Sequence, residues 1–186
     1  MSPMIKQPLT LEHALLGFVR QRPMHAYEMY QQLAQAIELG LVWHLKQSQL
    51  YALLARLEEA GYLEGETEQQ GTRPPRKLLH LTPAGQAAFD TWLTSPVEHG
   101  RDFRLEFLAK LFFATEESQT IAATLIRSQR RTCQTWLSDL RIQAAKMEHE
   151  RPYDWLVLQF RTGQIEATIK WLDTCEANIL VMPVVG

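Results

Sequence analysis

Leucines recur at helical spacing through the stretch QSQLYALLARLEEAGYLEGE, residues 47–66. Positions three and four apart share one face of a helix. Here that face carries Leu50, Leu53, Leu54 and Leu57. The opposite face is small and polar, and Gly61 stands past the last periodic position, where helices often end. The pattern predicts a short amphipathic helix with Ser48 or Gln47 as its N-terminal cap.

Two further amphipathic helices are predicted upstream of this one. The first begins at a Thr10 cap and ends before Pro23. Its apolar residues, at 3–4 spacing, are Leu11, Ala14, Leu15 and Phe18. The second covers roughly Ala26 to Ile37, and Gly40 follows its end.

After Gly61 the helical spacing stops and strand-like segments begin. Tyr62-Leu63 and residues 79–81 resemble strand ends, and the QQGTRPPR stretch between them is turn material. Thr82-Pro83 is a typical helix start, with threonine as cap and proline in the first turn, and a helix to Trp92 follows. Three helices, a hairpin and a helix make a winged helix-turn-helix, whose third helix enters the major groove of DNA.

The outer side of the third helix suits contact with DNA. Ala52 and Ala55 keep the surface low, so that the helix can approach base edges, and Gln49 can pair with an adenine. Tyr51 and Arg56 are placed to reach phosphates, and the wing adds three basic residues. The predicted DNA-binding residues are Lys46, Gln47, Ser48, Gln49, Tyr51, Ala52, Arg56, Arg73, Arg76 and Lys77.

The same residues also have a simpler interpretation. A helix with alanine and glutamine outside is often only a solvated face, and basic residues at a hairpin tip are common. Phosphates would also be repelled by the nearby acidic residues Glu58, Glu59, Glu64, Glu66 and Glu68. The alternative function is therefore a winged-helix module that binds another protein and no specific DNA.

From Asp102 onward the chain is predicted to be helical throughout. The segment DFRLEFLAKLFFAT carries one broad apolar stripe, whereas the last helix carries two. The first stripe is Leu158, Ile165, Ile169, Leu172 and Ile179. The second stripe is Phe160, Gly163, Ala167 and Trp171. A helix that packs within its own chain needs only one stripe, so a homodimer is predicted, with the first stripe as the dimer interface. The alternative is that both stripes pack within the monomer against the first domain.

The predicted fold class is mainly α, with a break between two domains. Residues 1–95 form the winged helix-turn-helix, and residues 101–186 form the helical dimerisation domain. Pro96 and Gly100 lie in the break. The first domain, from Leu11 to Trp92, is expected to be large enough to fold alone with modest stability.

Composition and charge narrow the function classes. The net charge of −2 means that a nucleic-acid site must be a local basic patch. Cys133 and Cys175 are far apart and suit a reducing cytosol. No apolar run approaches the roughly 20 residues that span a bilayer, and the first residues do not resemble a signal peptide. A cytoplasmic protein without a membrane partner is expected.

Motifs for catalysis or metal binding are missing from the sequence. The six histidines are scattered, with no HExxH pattern and no neighbouring cysteine. There is no glycine-rich phosphate loop and no Gly-x-Ser-x-Gly. We therefore expect no enzyme activity, no metal site and no cofactor.

Three segments together resemble the PadR family of bacterial transcriptional regulators. ALLGFVRQRPMHAYEM is similar to the family's first helix and the aromatic start of its second. SQLYALLARLEEAGYLEGE resembles its recognition helix, and RPPRKLLHLTPAG resembles its basic wing and closing motif. The GQIEATIKWL segment resembles the longer subfamily, whose C-terminal arm is similar to that of virulence-gene activators. Ala26 and Leu78-Leu79 depart from the family's usual glycine and aromatic residues.

The resemblance implies partners for this chain. These partners are double-stranded DNA carrying an inverted repeat and a second copy of the chain. We expect the resulting homodimer to act as a repressor. Relatives in the family are released from DNA by small molecules, often aromatic ones, so an aromatic effector is also expected. Five tryptophans could line its cavity, although core packing explains them more simply: Trp43, Trp92, Trp136, Trp155 and Trp171.

Overall fold

The computed structural model describes residues 12–35, 45–69, 75–147 and 152–179. Its elements are α1 (His13–Gln21), β1 (Met24–His25), α2 (Ala26–Gln35), α3 (Gln47–Glu59), β2 (Leu63–Glu68), β3 (Arg76–Leu81), α4 (Pro83–Thr94), a 3-10 turn (Gly100–Asp102), a π-helical turn (Phe103–Phe107), α5 (Leu108–Glu117), α6 (Gln119–Met147) and α7 (Pro152–Ile179). The chain forms two compact units. The first contains the described residues up to Leu93 together with Arg104–Phe113, and the second contains Thr94–Phe103 and the described residues from Ala114 onward.

The first unit is a winged helix-turn-helix, as the sequence predicts. Its antiparallel sheet has the strand order β1-β3-β2, with Met24 opposite Leu79 and Leu63 opposite Leu81. Met24, Leu63 and Leu79 are buried on one face of this sheet, and the residues between them alternate to the exposed face. The structure does not describe the residues expected at the start of the first helix, Thr10 and Leu11, or at the end of the second, Ile37 and Gly40.

The Leu-Thr-Pro-Ala-Gly motif fastens α4 to the end of α3. Thr82 Oγ1 donates to the Gly61 carbonyl oxygen at 2.7 Å and accepts from the Gly85 N–H at 3.0 Å. Gly61 has a φ of 74°, which glycine adopts without strain. No other residue fits at position 85, because a Cβ there would lie 2.1 Å from the Tyr62 carbonyl oxygen. The motif therefore sets where the second wing strand meets the recognition helix.

Arg104–Phe113 completes the core of the first unit. Phe107 and Phe113 are buried, and the Phe113 ring makes edge-to-face contacts with Phe18 of α1 and Phe89 of α4. The first unit therefore includes a segment that lies beyond the domain boundary predicted at residue 95. The physical reason is that its apolar faces need the rings of α5 to cover them.

A buried ion pair lies in the same part of the first unit. Lys110 is 1% exposed, and its Nζ lies 2.9 Å from Glu106 Oε1 and 5.4 Å from the centre of the Trp92 ring. Trp92 Nε1 donates to the same carboxylate at 3.1 Å. Each buried charge thus has a partner, which offsets the cost of removing it from water. His13 lies nearby, and burial lowers its pKa.

The second unit is built on two long helices, α6 and α7, that pack antiparallel. Leu140 and Ala144 of α6 form a buried cluster with Leu158 of α7. Ion pairs line the same contact, from Arg127–Glu176 at 2.6 Å to Arg141–Glu166 at 2.6 Å. No helix within the described ranges is long and apolar enough to cross a membrane.

The structure corrects the assignment of the two stripes on the last helix. Leu158, Leu172 and Ile179 of the first stripe are buried within a single chain, and Leu172 is 0% exposed. Ile165 and Ile169 are half-buried. The described element that contacts α7 extensively is α6, which therefore covers this stripe. A buried stripe cannot at the same time be the seam with a second chain.

Candidate nucleic-acid interface

The recognition helix α3 starts at Gln47, two residues earlier than a cap at Ser48 would require. The N-cap residue is Lys46, and its N–H donates to Gln49 Oε1 at 3.0 Å. In return, the Gln49 N–H donates to the Lys46 carbonyl oxygen at 3.0 Å. The predicted cap at Ser48 or Gln47 is therefore wrong, because glutamine in the third helical position reaches back to cap the helix itself.

The exposed face of α3 has the predicted composition. Leu50, Leu54 and Leu57 are buried, and Leu53 is half-buried. The exposed residues are Gln47, Ser48, Gln49, Tyr51, Ala52 and Ala55. Tyr51 is 46% exposed. A polar first turn followed by two alanines gives a surface that a groove can approach closely.

Arg56 is held by a carboxylate at the start of α1. Its Nη1 lies 2.5 Å from Glu12 Oε1, and Glu12 is buried. This pair ties the last turn of α3 to the residue that precedes α1. A positioning role for Arg56 in α3 thus competes with the predicted contact to phosphate.

Lys77 is held in the same way by the recognition helix. Its Nζ lies 2.8 Å from Glu58 Oε1, and its stem crosses Gly65 of the neighbouring strand. A Cβ at Gly65 would lie 2.5 Å from Lys77 Cδ, so the glycine makes room for this crossing. The sequence predicts neither the Lys77–Glu58 nor the Arg56–Glu12 ion pair, and it indicates for Glu58 only a repulsion of phosphate.

Arg76, like Lys77, is an exposed cation of the described part of the wing. It stands opposite Glu68 in the register of β2 and β3. Arg73, the third basic residue predicted for the wing, lies outside the described residues. Of the basic residues predicted to contact DNA from the wing, Arg76 is therefore exposed and Lys77 is paired with Glu58 of α3.

The outer face of the wing sheet is acidic. Glu64, Glu66 and Glu68 alternate along β2 and share this face, and Glu64 and Glu66 are exposed. Two histidines lie beside these carboxylates: His25 Nε2 is 3.5 Å from Glu68 and His80 Nε2 is 3.4 Å from Glu66. His25 Nδ1 also lies 3.0 Å from the Lys77 carbonyl oxygen. This face would repel phosphate, so the wing can approach DNA only by another side or by its tip.

The five tryptophans that could line an effector cavity lie in different environments. Trp92 is buried in the first unit, and Trp155 packs against the Leu140 cluster in the second. Trp171 makes an edge-to-face contact with Phe103, whereas Trp136 lines a cavity. Trp43 lies outside the described residues. In the described ranges, no group of three or more candidate side chains could hold a metal ion.

The chain matches two family models. Residues 15–91 match the transcriptional regulator PadR-like family, and residues 103–179 match the virulence activator alpha C-terminal family. The negative transcriptional regulator PadR of Bacillus subtilis is 30% identical over 178 residues, which cover 91% of this chain and 97% of that protein. A probable transcriptional regulator of Mycobacterium tuberculosis is 25% identical over 52% of this chain and 50% of its own length.

Two solved structures of the Bacillus subtilis protein are also similar. Its complex with operator DNA is 28% identical, with 91% of this chain and 98% of that chain covered and a TM-score of 0.45. Its complex with p-coumaric acid is 26% identical with the same coverage and a TM-score of 0.42.

Proposed function

The chain belongs to the PadR-like family of transcriptional regulators, and on that premise we propose that it represses transcription as a homodimer on an inverted-repeat operator. It is a DNA-binding regulator and not an enzyme, in agreement with the expectation from its motifs. The observation that carries the proposal is the exposed first turn of α3, Gln47–Gln49, followed by Ala52. We also propose that it acts in the cytoplasm.

Gln49 has two functions in this proposal, and they can be separated. Its Oε1 caps α3 by accepting the Lys46 N–H, while its amide group remains on the exposed side. An adenine edge needs both a donor and an acceptor from the side chain. Gln49→Glu keeps an acceptor for the cap and removes the donor, so the helix should stay folded while the base contact is lost.

The test is a binding selection on random duplexes, followed by titration of the recovered site. We expect an inverted repeat whose half-sites are separated by about one helical turn, roughly 34–36 Å, or a multiple of it. Gln49→Glu should weaken the titrated affinity by about 1–3 kcal/mol per half-site and relax the preference at one base pair. Gln134→Glu, an exposed glutamine on α6, makes the same charge change in the second unit and is the control. Recovery of no inverted repeat would refute specific DNA binding.

The wing contributes a contact that salt dependence can measure. Each phosphate contact adds roughly 0.9 to the slope of log affinity against log salt. Arg76→Gln should lower that slope by about one contact per half-site. Lys77→Gln should instead act through α3, since Lys77 is bound to Glu58. If Arg76→Gln and Arg73→Gln both leave the slope unchanged, the predicted wing contacts with phosphate are refuted, and the protein-binding alternative gains support from the acidic outer face of the wing.

The proposed dimer seam is the exposed apolar face of α7. Tyr153 is 77% exposed, Phe160 66% and Leu156 58%, a concentration of apolar surface that a monomer rarely leaves in water. A second copy with the same face satisfies the symmetry of a two-fold contact. Phe160→Ser should therefore shift sedimentation toward the monomer, whereas Leu105→Ser, at another exposed leucine, should not. A dimer that survives Phe160→Ser together with Leu156→Ser would place the seam elsewhere.

We further propose that a small aromatic molecule controls DNA binding. The Bacillus subtilis relative has been crystallised both with operator DNA and with p-coumaric acid. Effector control of the same kind is proposed for this chain. A panel of aromatic acids added to the operator complex tests it, and no change of operator affinity across the panel would remove its support.

A further inference from the structure

The last turn of α3 carries two charged side chains that point to opposite sides of the helix. Arg56 and Glu58 are two residues apart, which separates them by about 200° around the helix axis. Arg56 Nη1 lies 2.5 Å from Glu12 Oε1, and Glu58 Oε1 lies 2.8 Å from Lys77 Nζ. The helix is therefore held from one side by the residue that precedes α1 and from the other side by β3 of the wing.

The Glu12 side chain contacts α3 and does not cap its own helix. Glu12 is the N-cap residue of α1, yet its side chain makes no capping hydrogen bond with the first turn of that helix. The Leu15 N–H donates instead to the Glu12 backbone carbonyl oxygen at 2.9 Å. A carboxylate at a helix N-terminus commonly interacts with the unsatisfied N–H groups there. Here the carboxylate is directed to Arg56 of the recognition helix.

The carboxylate of Glu12 is removed from solvent, whereas the guanidinium of Arg56 is partly exposed. The Glu12 side chain is 9% exposed and the Arg56 side chain is 42% exposed. A buried carboxylate needs a cation beside it, because an unpaired charge in the protein interior is costly. Arg56 supplies that cation. If the guanidinium moved away to contact a phosphate, Glu12 would lose this partner, so the DNA contact would have to offset the loss.

The position of the last turn affects the other end of α3, where the bases are read. Gln49 and Arg56 are seven residues apart, which is about 10 Å along the helix axis. A change of about 5° in the direction of that axis moves one end by about 1 Å relative to the other. A side chain in a binding site has to be held within about 0.5 Å of its productive position. The two ion pairs therefore oppose a movement that would impair base recognition while α3 stays folded.

We propose that Glu12 is a positioning residue for DNA recognition, which sets the orientation of α3 through Arg56, while the Lys77–Glu58 pair holds the helix from the wing. Arg56 then acts within the protein and not as a phosphate contact. This inference rests on the proposed function, the reading of a specific operator by α3. It adds to that function a residue that lies outside both the recognition helix and the wing.

Two affinities of the full-length protein test this role, one for the operator recovered by selection and one for an unrelated duplex of the same length. Both are titrated over a range of salt concentrations. Glu12→Gln should lower the ratio of the two affinities by roughly 5- to 150-fold for each half-site that loses a base contact. The affinity for the unrelated duplex should not fall, because no phosphate contact is removed and Glu12 no longer holds Arg56.

Arg56→Gln separates a positioning role from a phosphate contact. With a positioning role, it should lower the ratio as Glu12→Gln does and leave the salt slope on the unrelated duplex unchanged. With a phosphate contact, it would lower both affinities together and reduce that slope by about 0.9 for each half-site, and this result would overturn the proposal. Glu116→Gln and Arg131→Gln, at exposed residues of α5 and α6, make the same charge changes and should leave the ratio unchanged.

The double replacement tests whether the two residues act as one unit. Glu12→Gln combined with Arg56→Gln should lower the ratio no further than the more damaging single replacement, because either one already breaks the pair. If the two losses multiply instead, Glu12 and Arg56 act separately, and the proposal is wrong.

Circular dichroism shows whether each variant is folded. If Glu12→Gln unfolds the chain, Glu12→Asp takes its place, since aspartate keeps the charge but is one methylene too short to hold Arg56 in the same position. A folded Glu12→Asp protein should show a lowered ratio, and an unchanged ratio would refute the positioning role. If the natural protein binds the operator no more tightly than the unrelated duplex, the proposed function fails and the positioning role fails with it. A normal ratio in the natural protein that also persists in every folded variant refutes the positioning role alone.

Discussion

Replacement of Phe113 by alanine tests whether α5 belongs to the core of the DNA-binding unit. The ring is 2% exposed and makes edge-to-face contacts with three others, Phe18 at 5.4 Å, Phe89 at 5.7 Å and Phe112 at 5.1 Å between centres. A buried Phe→Ala change costs about 3–5 kcal/mol. The aromatic pairs add roughly 0.5–1.5 kcal/mol each. We therefore expect a loss near 5 kcal/mol, comparable with the whole stability of a small domain.

The matched control is Phe112→Ala, one residue earlier on the same helix. Phe112 is half-buried, so its replacement should cost clearly less than that of Phe113. Native-state hydrogen exchange, followed by mass spectrometry, reports the free energy of opening for each helix separately. Peptides from α1 and α4 should lose protection in Phe113→Ala. Equal effects of the two replacements, or unchanged protection of α1, would refute the assignment of α5 to this core.

A second replacement makes the test sharper. A Cβ on Gly17 would lie 2.5 Å from Cε1 of Phe113, so Gly17→Ala should destabilise the natural protein. In the Phe113→Ala background that methyl group enters space left by the ring. The double replacement should then cost less than the sum of the two, by about 0.5–3 kcal/mol. Additive costs would show that Phe113 does not pack against α1.

Three other outcomes follow from the same structure. A chain ended after Gly100 should be largely unfolded, and one ended after Glu117 should keep a folded first unit by circular dichroism, because only the longer chain contains Phe107 and Phe113. Burial lowers the pKa of His13 from 6.5. The contribution of neutral His13 to the free energy of unfolding, measured with urea, should therefore be fully present above about pH 6.5 and be lost as the pH falls below it. His13→Asn should remove that part of the pH dependence. Burial also raises the pKa of the Cys175 thiol to about 11, so a disulfide reagent at pH 8 should react much faster with the unfolded chain than with the folded one.

Local patterns were enough to predict the elements of the first unit. Leucines at 3–4 spacing, Gly61 and the Thr82-Pro83 pair each depend on residues within a few positions, and a helix, a strand or a cap is decided at that range. The helix cap was misplaced, because Gln49 and Ser48 are both able to cap and only the conformation of Lys46 decides between them.

The sequence by itself therefore determined the family, the winged helix and the exposed face of α3, whose side chains are exposed as predicted. The tertiary structure alone decided what the charged and apolar side chains contact. Arg56 is paired with Glu12, Lys77 with Glu58, and the first stripe of α7 with α6. The physical reason is that a periodic pattern shows which residues share a face, whereas the partner of that face is set by segments far away in the chain, as Phe113 is from Gly17.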